Sequence, residues 1–314
     1  MKDSTKPVLA VMVGLPASGK STYAYKLAQE NNAIIFSSDD LREELYGDVN
    51  DQEHNHELFV ELHRRIKKAL KEGHNVIYDA CNLSSKRRIA FLQELKHIPC
   101  WKECIIMATP YQQCLHNNKA RSRKVPEHVI ERMCKQFDTP YYYEGFNRVT
   151  VQYYENSLNR YSQYPMSWAL DYMDYKQDNP HHKLTLGQHC MKAMYWLYGS
   201  KWFTYPLIGT IINATVIHDC GKPFCKTFKN GKGETTDIAH YYGHEHIGAY
   251  DSLFFKYVAG INALDVSALI SNHMKPWAWE RDNNEKMRNK YLNLWGSDFY
   301  QCVMILHEAD KAAH

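Results

Sequence analysis

Short apolar runs alternate with amphipathic stretches through the first half of the chain. The runs VLAVMV (8–13), AIIF (33–36), VIY (76–78), CIIMA (104–108) and VTVQYY (149–154) are typical of buried strands. The stretches between them space their apolar residues as helices do, most clearly in NHELFVELHRRIKKALKE. Strands that alternate with helices predict an α/β fold, in which a parallel sheet is flanked by helices.

The pattern changes in the second half. The segment ENSLNRYSQYPMSWALDYMDYKQDNPHH is rich in Tyr, Asn, Ser and Pro and lacks helical periodicity, which is typical of a connector. From Leu184 onward the spacing of apolar residues is helical throughout. We therefore predict an α/β domain over 1–156, a linker over 157–180 and an all-α domain over 181–314.

Composition sets limits on the partners and the compartment. The chain has 314 residues, enough for two domains that each bury a core. Its net charge of +3 is close to neutral, so any nucleic-acid contact must come from a local basic surface. The nine cysteines form no CxxC pair, which favours reduced thiols in a cytoplasmic protein. We find no signal peptide and no membrane-spanning run, and expect no membrane partner.

The first candidate site directly follows the first predicted strand. GLPASGKS fits the pattern G-x-x-x-x-G-K-S in every specified position. Gly14 and Gly19 allow the backbone N–H groups to turn inward, and the following helix directs its positive end at the same point, so the loop can hold a polyphosphate. Lys20 should reach the β- and γ-phosphates of ATP or another NTP, and the Ser21 hydroxyl should hold Mg²⁺. The predicted ATP-binding residues are Gly14, Ser18, Gly19, Lys20, Ser21 and Thr22, of which Thr22 also begins the helix.

Polar side chains follow the second and third predicted strands. Asp39, Asp40 and Arg42 come after the second strand, at the sheet edge where the phosphate loop lies. A carboxylate there can accept the proton of an attacking hydroxyl, and an arginine can hold a phosphate. The alternative role for SSDD is a helix N-cap. Asp79 ends the third strand, where it can contact Mg²⁺ or the acceptor, and Asn82 either caps the next helix or touches substrate.

A basic segment follows the fourth predicted strand. Arg121, Arg123 and Lys124 precede a proline and a new helix. Arginines on a segment that closes over a nucleotide suit phosphoryl transfer, because negative charge develops on the transferred group. A solvated basic loop is the alternative.

Together these residues resemble the polynucleotide 5′-hydroxyl kinase family. The resemblance covers about half of the chain and rests on GLPASGKS, SSDDLR, YDACNL, the RSRKVP lid segment and PYYYEGF. It implies that Lys20 and Ser21 bind ATP and Mg²⁺ and that Asp39 is the general base on the 5′-hydroxyl.

The same resemblance implies roles for three arginines. Arg42 would hold the acceptor's phosphate, and Arg121 or Arg123 would be the lid arginine that stabilises the transition state. Two positions depart from the family: Cys81 stands where threonine is usual in D-x-T-N, and His116 stands where arginine is often found. Neither departure removes a catalytic group.

A second candidate site is spread along the helical half. Histidine and aspartate recur there in a fixed order: His189, His218 with Asp219, His244, His273 and Asp310. A single histidine on an apolar face is usually a core residue, but five such segments predict ligands. Two imidazoles and two carboxylates can hold a divalent cation, and the two added histidines would suit a second cation bridged by Asp219. Two such ions can activate water and neutralise a phosphate.

The order and local sequences resemble the HD superfamily of metal-dependent phosphohydrolases. In HDCGK the resemblance adds Lys222 as a contact to the scissile phosphate. Asp237 and Glu245 are candidates for outer contacts, and the remaining histidines of this half are expected to be structural or at the surface. One or two ions of Mn, Ni, Co, Fe, Zn or Mg fit such a mixed His/Asp site.

The two resemblances imply one task. A 5′-hydroxyl kinase joined to a phosphohydrolase that acts on 3′-phosphate or 2′,3′-cyclic phosphate would heal RNA or DNA ends, with an RNA ligase as a partner. Two alternatives remain at this point. The first joins a small-molecule kinase to a nucleotide phosphohydrolase, and the second is an ATP-binding switch without turnover.

Overall fold

The computed structural model describes residues 6–154 and 163–314, which form two compact units. The first unit comprises Met1–Ile130 with Pro140–Glu155, and the second comprises Glu131–Thr139 with Asn156–His314. The predicted boundary at residue 156 and the first residues of the predicted linker lie outside the described residues.

The first unit is built on a five-stranded sheet. Its strands are β1 (Val8–Val13), β2 (Ala33–Ser37), β3 (Asn75–Asp79), β4 (Trp101–Ala108) and β5 (Arg148–Tyr153). The spatial order is β2-β3-β1-β4-β5, and every adjacent pair is parallel. Residues 9–13 of the central strand β1 are all buried. A strand that helices cover on both faces has a near-continuous apolar sequence, as this strand does. The predicted parallel sheet is confirmed.

Helices cover this sheet. They are α1 (Lys20–Asn31), α2 (Ser38–Tyr46), α3 (Asn55–Lys71), α4 (Ser85–Glu94), α5 (Tyr111–Ala120) and the start of α6 (Glu127–Cys134), with a short 3-10 helix over Tyr142–Glu144. On α3 the fully buried Leu58, Leu62 and Ile66 recur at four-residue spacing, so one apolar stripe packs inward and the basic residues stay outside.

A buried ion pair joins α4 to the 3-10 helix over Tyr142–Glu144. Arg88 and Glu144 are each almost fully buried, and two parallel bonds of 2.7 Å join them. Arg88 also donates to the carbonyl oxygen of Asn82 over 2.7 Å. Arg88 therefore lies inside the unit and not on a solvated helix surface.

Replacing Arg88 with methionine should lower the free energy of unfolding by about 3–5 kcal/mol, because Glu144 would be left as an unpaired buried charge. Urea denaturation of the full chain measures the change. The matched control is Arg87→Met at an exposed neighbouring position, where a change within about 0.5 kcal/mol is expected. Equal effects of the two substitutions would contradict a structural role for the pair.

The second unit is mainly helical. Its elements after α6 are α7 (Pro165–Asp171), α8 (Leu186–Gly199), a 3-10 helix (Lys201–Thr204), α9 (Ile208–Ile217), α10 (Lys222–Cys225), β6 (Thr227–Lys229), β7 (Thr235–His240), α11 (His244–Ser252), α12 (Ala263–Asn272), α13 (Lys275–Arg281) and α14 (Glu285–Ala313). Helix α14 contains one non-helical residue, Gly296, and therefore kinks there.

Two elements differ from the sequence prediction. Helix α7 lies within the segment predicted as a linker, and its Trp168 and Ala169 are buried. Gly187 makes room for this helix, because a Cβ there would meet backbone atoms of Ala169 and Met173. Strands β6 and β7 form an antiparallel hairpin, so the second unit is mainly helical and not purely helical.

No helix among residues 6–154 and 163–314 is both long enough and apolar enough to cross a bilayer.

Candidate functional site

The phosphate loop connects the end of β1 to the first turn of α1. A Cβ at Gly14 would lie 2.9 Å from the Ser18 hydroxyl and 3.2 Å from the carbonyl oxygen of Met107, so only glycine fits without a shift. Gly19 adopts φ 91° immediately before the helix, a conformation that favours glycine. The tight turn that GLPASGKS predicts is therefore present at both glycines.

Residues between β4 and α5, and on α5, hydrogen-bond to the backbone of the phosphate loop. The Thr109 hydroxyl donates to the carbonyl oxygen of Ser18 over 2.8 Å, and the Asn117 amide donates to that of Ala17 over 3.1 Å. The Lys20 ammonium is buried and donates to the Leu15 carbonyl oxygen over 2.7 Å. Thr109 and Asn117 were not identified from the sequence, since neither belongs to the GLPASGKS pattern.

The sheet register brings Asp79 to the loop. Strand β3 lies between β1 and β2, and its last residue Asp79 pairs with Ser37. The Ser21 hydroxyl hydrogen-bonds to the Asp79 carboxylate. Burial raises the pKa of Asp79, while the bond from Ser21 and the charge of Lys20 oppose the rise. Serine and carboxylate oxygens are ligands that Mg²⁺ accepts, so this pair could hold the ion that accompanies a nucleotide.

Asp39 lies in the first turn of α2, next to the same edge. The Ser37 hydroxyl, and not an aspartate, caps this helix by accepting from the backbone N–H groups of residues 39 and 40. The Asp39 carboxylate therefore does not serve as the cap, and its side chain is 44% exposed. It is also near enough to Asp79 to raise the pKa of that residue. Asp40 is exposed.

Two of the predicted arginines contact Asp39. Arg42 is 3.2 Å from one carboxylate oxygen, and Arg123 is 2.5 Å from the other. The buried Arg42 also donates to the Asn55 side chain over 2.9 Å, and Arg123 donates to that of Asn50 over 3.1 Å. The lid segment and α2 thus meet at the carboxylate.

The remaining predicted residues of this unit lie elsewhere. Arg121 is exposed at the end of α5, and Thr22 is exposed on α1. Asn82 donates to the Met12 carbonyl oxygen over 2.9 Å, and α4 begins only after Ser84. Asn82 therefore fixes the loop after β3 to β1 and does not cap the helix.

In the second unit, the predicted ligands converge in one buried cluster. In its first half the His189 Nε2 atom is 3.2 Å from the His218 Nε2 atom and 3.0 Å from an Asp310 oxygen. One carboxylate oxygen of Asp219, Oδ2, is 3.3 Å from the His218 Nε2 atom. All four side chains are at most 5% exposed.

The second half of the cluster shares Asp219 through its other oxygen, Oδ1. This oxygen is 3.2 Å from the His244 Nε2 atom and 3.9 Å from the His273 Nε2 atom. The two Nε2 atoms are 3.3 Å apart. Asp219 therefore faces both halves at once, as a bridging ligand would.

The histidine tautomers fit metal binding. The Nδ1 atoms of His218, His244 and His273 each lie 2.7–2.9 Å from a backbone carbonyl oxygen three residues earlier. A carbonyl oxygen only accepts, so each Nδ1 carries a proton and each Nε2 faces the cluster, where a cation can take the place of a second proton. Facing lone pairs at 3.2–3.3 Å repel unless a proton or cation lies between them. The donor set thus fits one or two divalent cations.

Charge inside the cluster is balanced by a lysine. Lys222 lies 2.7 Å from Oδ2 of Asp219. Burial alone would raise the pKa of Asp219, but Lys222 and His218 hold it well below its usual range. Burial would likewise lower the pKa of His218, but Asp219 and Asp310 hold it well above the usual range. The carboxylate stays ionised and able to bind a cation.

Several residues around the cluster were not identified from the sequence. The buried Gln177 side chain accepts from Lys222 over 2.8 Å, and the His182 Nε2 atom lies 3.5 Å from the same ammonium. His314 lies 3.4 Å from Asp310 Oδ1, and the Trp277 indole donates to Asp310 Oδ2 over 2.8 Å. His182 was expected to be structural or at the surface, yet its ring lies 4.9 Å from that of His314 beside the cluster.

The two candidates for outer contacts differ in position. Glu245 lies 3.5 Å from the His244 Nδ1 atom, at the outer side of the cluster. Asp237 is exposed in β7.

Close backbone packing sets the position of Asp219. Gly221 packs against α11, where a Cβ would collide with the His244 carbonyl oxygen and lie 2.6 Å from the Gly248 nitrogen. This approach brings the segment that contains Asp219 against the start of the helix that contains His244. The glycine of HDCGK is therefore a packing requirement of the cluster.

Comparisons with known proteins match the first part of the chain. Residues 9–140 match a family described as an AAA domain. The chain is 30% identical over 140 residues to L-seryl-tRNA(Sec) kinase of Methanococcus maripaludis, which is 42% of this chain and 53% of that enzyme. The chain thus spans about half the length of this curated relative.

Two solved structures are also similar. A chain of the Pnkp1/Rnl/Hen1 RNA repair complex aligns at 24% identity with a TM-score of 0.36, over 43% of this chain and 46% of that one. A gluconokinase from Sinorhizobium meliloti 1021 aligns at 14% identity with a TM-score of 0.35, over 48% and 84%.

The family match, the parallel sheet and the phosphate loop agree on the first unit, which fits a P-loop kinase domain. The histidine cluster lies beyond the residues that the family matches.

Proposed function

We propose that the chain is a bifunctional enzyme that heals nucleic-acid ends. The first unit transfers the γ-phosphate of ATP to a 5′-hydroxyl, and the second is an HD-type phosphohydrolase that removes a 3′-phosphate or opens a 2′,3′-cyclic phosphate. The observation that carries the proposal is the presence, in one chain, of two separate groups of residues whose chemistry suits phosphate. One is the phosphate loop with Asp39 beside it, and the other is the converged His/Asp cluster.

In the first unit, Asp39 accepts the proton of the attacking hydroxyl. Its partly exposed carboxylate, in the first turn of α2, supports this role. Arg42 orients Asp39 and contributes positive charge for the acceptor's phosphate. Arg123 reaches Asp39 from the lid, so the same guanidinium is available for the charge that develops on the transferred group.

The nucleotide site uses the loop and its neighbours. Lys20 exchanges its contact with the Leu15 carbonyl oxygen for the β- and γ-phosphates. Ser21 and Asp79 would hold Mg²⁺, which would neutralise phosphate charge when it is bound. Thr109 and Asn117 keep the loop in its phosphate-binding conformation.

In the second unit, the cluster would hold one or two divalent cations. His189, His218 and Asp310 would bind the first, His244 and His273 the second, and Asp219 both. Bound cations supply Lewis-acid chemistry, which lowers the pKa of water and neutralises phosphate charge. Lys222 contacts a phosphate oxygen while it remains paired with Asp219.

The two activities complement each other chemically. Cleavage that leaves a 5′-hydroxyl and a 2′,3′-cyclic phosphate yields ends that a ligase cannot join until both are changed. RNA or DNA ends are therefore the proposed substrates, and an RNA ligase is the proposed partner. The sequence resemblance to polynucleotide 5′-hydroxyl kinases supports a polynucleotide over a small metabolite as the acceptor.

Phosphate transfer from γ-labelled ATP tests the acceptor class. We expect label on a single-stranded oligonucleotide with a 5′-hydroxyl and none on the same oligonucleotide with a 5′-phosphate. Lys20→Ala is the control for the phosphate loop and should remove the transfer. Labelling of mononucleosides with inert oligonucleotides would contradict the proposal and would favour a small-molecule kinase.

A further inference from the structure

An aromatic pocket lies in the second unit, apart from the His/Asp cluster. It has a volume of about 430 Å³ and is lined by Tyr195 and Trp196 of α8, Lys201 and Trp202 of the following 3-10 helix, and Glu308 of α14. Ligand pockets of this size combine aromatic walls with a few polar groups. Tyr195 is 63% exposed, so an aromatic face is open to solvent at the rim.

The polar groups of the pocket restrict what it can bind. One Glu308 oxygen accepts from the Trp202 indole over 2.8 Å, and the other has no hydrogen-bond partner among the residues that the structure describes. A carboxylate only accepts hydrogen bonds, so a ligand must offer N–H or O–H donors to it. The same negative charge disfavours a phosphate inside the pocket. The Lys201 ammonium lies 4.6 Å from the centre of the Trp202 ring, so this wall of the pocket carries a positive charge.

We propose that this pocket binds an unpaired nucleobase, with guanine preferred. Flat rings stack on the aromatic side chains, as single-stranded nucleic acids do on their protein platforms. The ring N–H and the amino group of guanine can donate to Glu308, whereas uracil offers a single ring donor. Lys201 meets the backbone phosphate that leaves the pocket.

The pocket shares both of its main helices with the His/Asp cluster. Tyr195 follows His189 on α8 by six residues, a rise of ~9 Å along the helix axis. Glu308 precedes Asp310 on α14 by two residues, a rise of ~3 Å. Residues two positions apart on a helix point to nearly opposite sides, so the pocket and the cluster lie on different faces of α14 and the pocket is a separate contact for the strand. This assignment of the strand rests on the proposed function.

Binding without turnover tests the pocket. Fluorescence anisotropy of the full chain is measured with labelled hexanucleotides that contain five uridines and one variable base near the 3′ end. We expect the guanine-containing strand to bind most tightly and Trp202→Leu to raise its Kd about tenfold. Glu308→Gln keeps the shape of the pocket and should remove the preference for guanine with little effect on the all-uridine strand. Circular dichroism checks that each variant is folded.

Tyr198→Ala is the matched control, because Tyr198 is 48% exposed on the same helix and does not line the pocket. The proposal is overturned if no strand binds. It is also overturned if Trp202→Leu changes the Kd no more than the control does, or if Glu308→Gln leaves the base preference intact. If the wild-type chain binds the guanine-containing strand most tightly but releases no phosphate, the pocket assignment stands and the phosphohydrolase assignment is wrong.

Discussion

Replacing Asp219 with asparagine should remove tight divalent-cation binding from both halves of the His/Asp cluster. Its two carboxylate oxygens face different histidines, Oδ2 toward His218 and Oδ1 toward His244. A neutral amide offers one weaker oxygen ligand and a nitrogen that cannot coordinate in the same way. Loss of an outer-sphere partner already costs 10–100-fold in metal affinity, so loss of this shared ligand should cost at least about 100-fold.

Calorimetric titration of the metal-free chain with Mn²⁺ measures this effect without relying on turnover. His189→Gln should weaken only the first half of the cluster and retain binding in the second. Asp237→Asn is the matched control, since this aspartate is exposed in β7. Melting curves must accompany the titrations, because Lys222 loses its buried partner in Asp219→Asn. Unchanged Mn²⁺ affinity in a folded Asp219→Asn chain would contradict the bridging role.

Replacing Asp39 with asparagine should lower kcat for phosphate transfer about 10²- to 10⁴-fold, the range typical of general-base removal. Affinity for ATP should change little, because the carboxylate contacts Arg42 and Arg123 and not the phosphate loop. Equilibrium binding of a non-hydrolysable ATP analogue, measured beside steady-state kinetics, separates the two effects.

The matched control for the Asp39→Asn substitution is Asp40→Asn. Asp40 is an exposed aspartate next to Asp39, in the first turn of the same helix. Its substitution should leave kcat within a few-fold of the wild-type value. Equal losses at the two positions would indicate that negative charge at the helix start, and not a proton acceptor, is what the reaction requires.

Much of the first unit could be predicted from apolar periodicity. Each apolar run corresponds to one strand, and alternation with helices indicates a parallel sheet. Periodicity does not encode which distant segments meet. The burial of Arg88 depends on Glu144, which lies 56 residues later in a segment without a regular pattern.

The missed hairpin had a local signal. Asn230-Gly231 is a strong turn dipeptide between short β-prone runs, and the backbone bond from Gly233 to the Asn230 carbonyl oxygen closes the turn there. The helical pattern on both sides is longer than this signal and obscures it. Helix α7 is hard to predict for the opposite reason, since seven residues are too few to establish a period.

A candidate site can be predicted when the types of its residues and their order in the sequence already indicate its chemistry. This holds for the phosphate loop and for the recurring His/Asp segments. Gln177, His182 and His314 do not, because each is a single polar residue whose position beside Lys222 or Asp310 follows only from tertiary packing. The sequence does not distinguish Arg121 from Arg123, whereas in the described part of the chain Arg123 is the one of the two that contacts Asp39.

We propose that two separate sites in one chain act on opposite ends of a broken strand. The direct measurement maps both termini of an RNA with a 5′-hydroxyl and a 2′,3′-cyclic phosphate after incubation with ATP, Mg²⁺ and Mn²⁺. The wild-type chain should phosphorylate the 5′ end and open or remove the phosphate at the 3′ end. Lys20→Ala should lose only the 5′ reaction and Asp219→Asn only the 3′ reaction. Loss of both reactions in either folded variant, or two unchanged ends with the wild-type chain, would contradict the account.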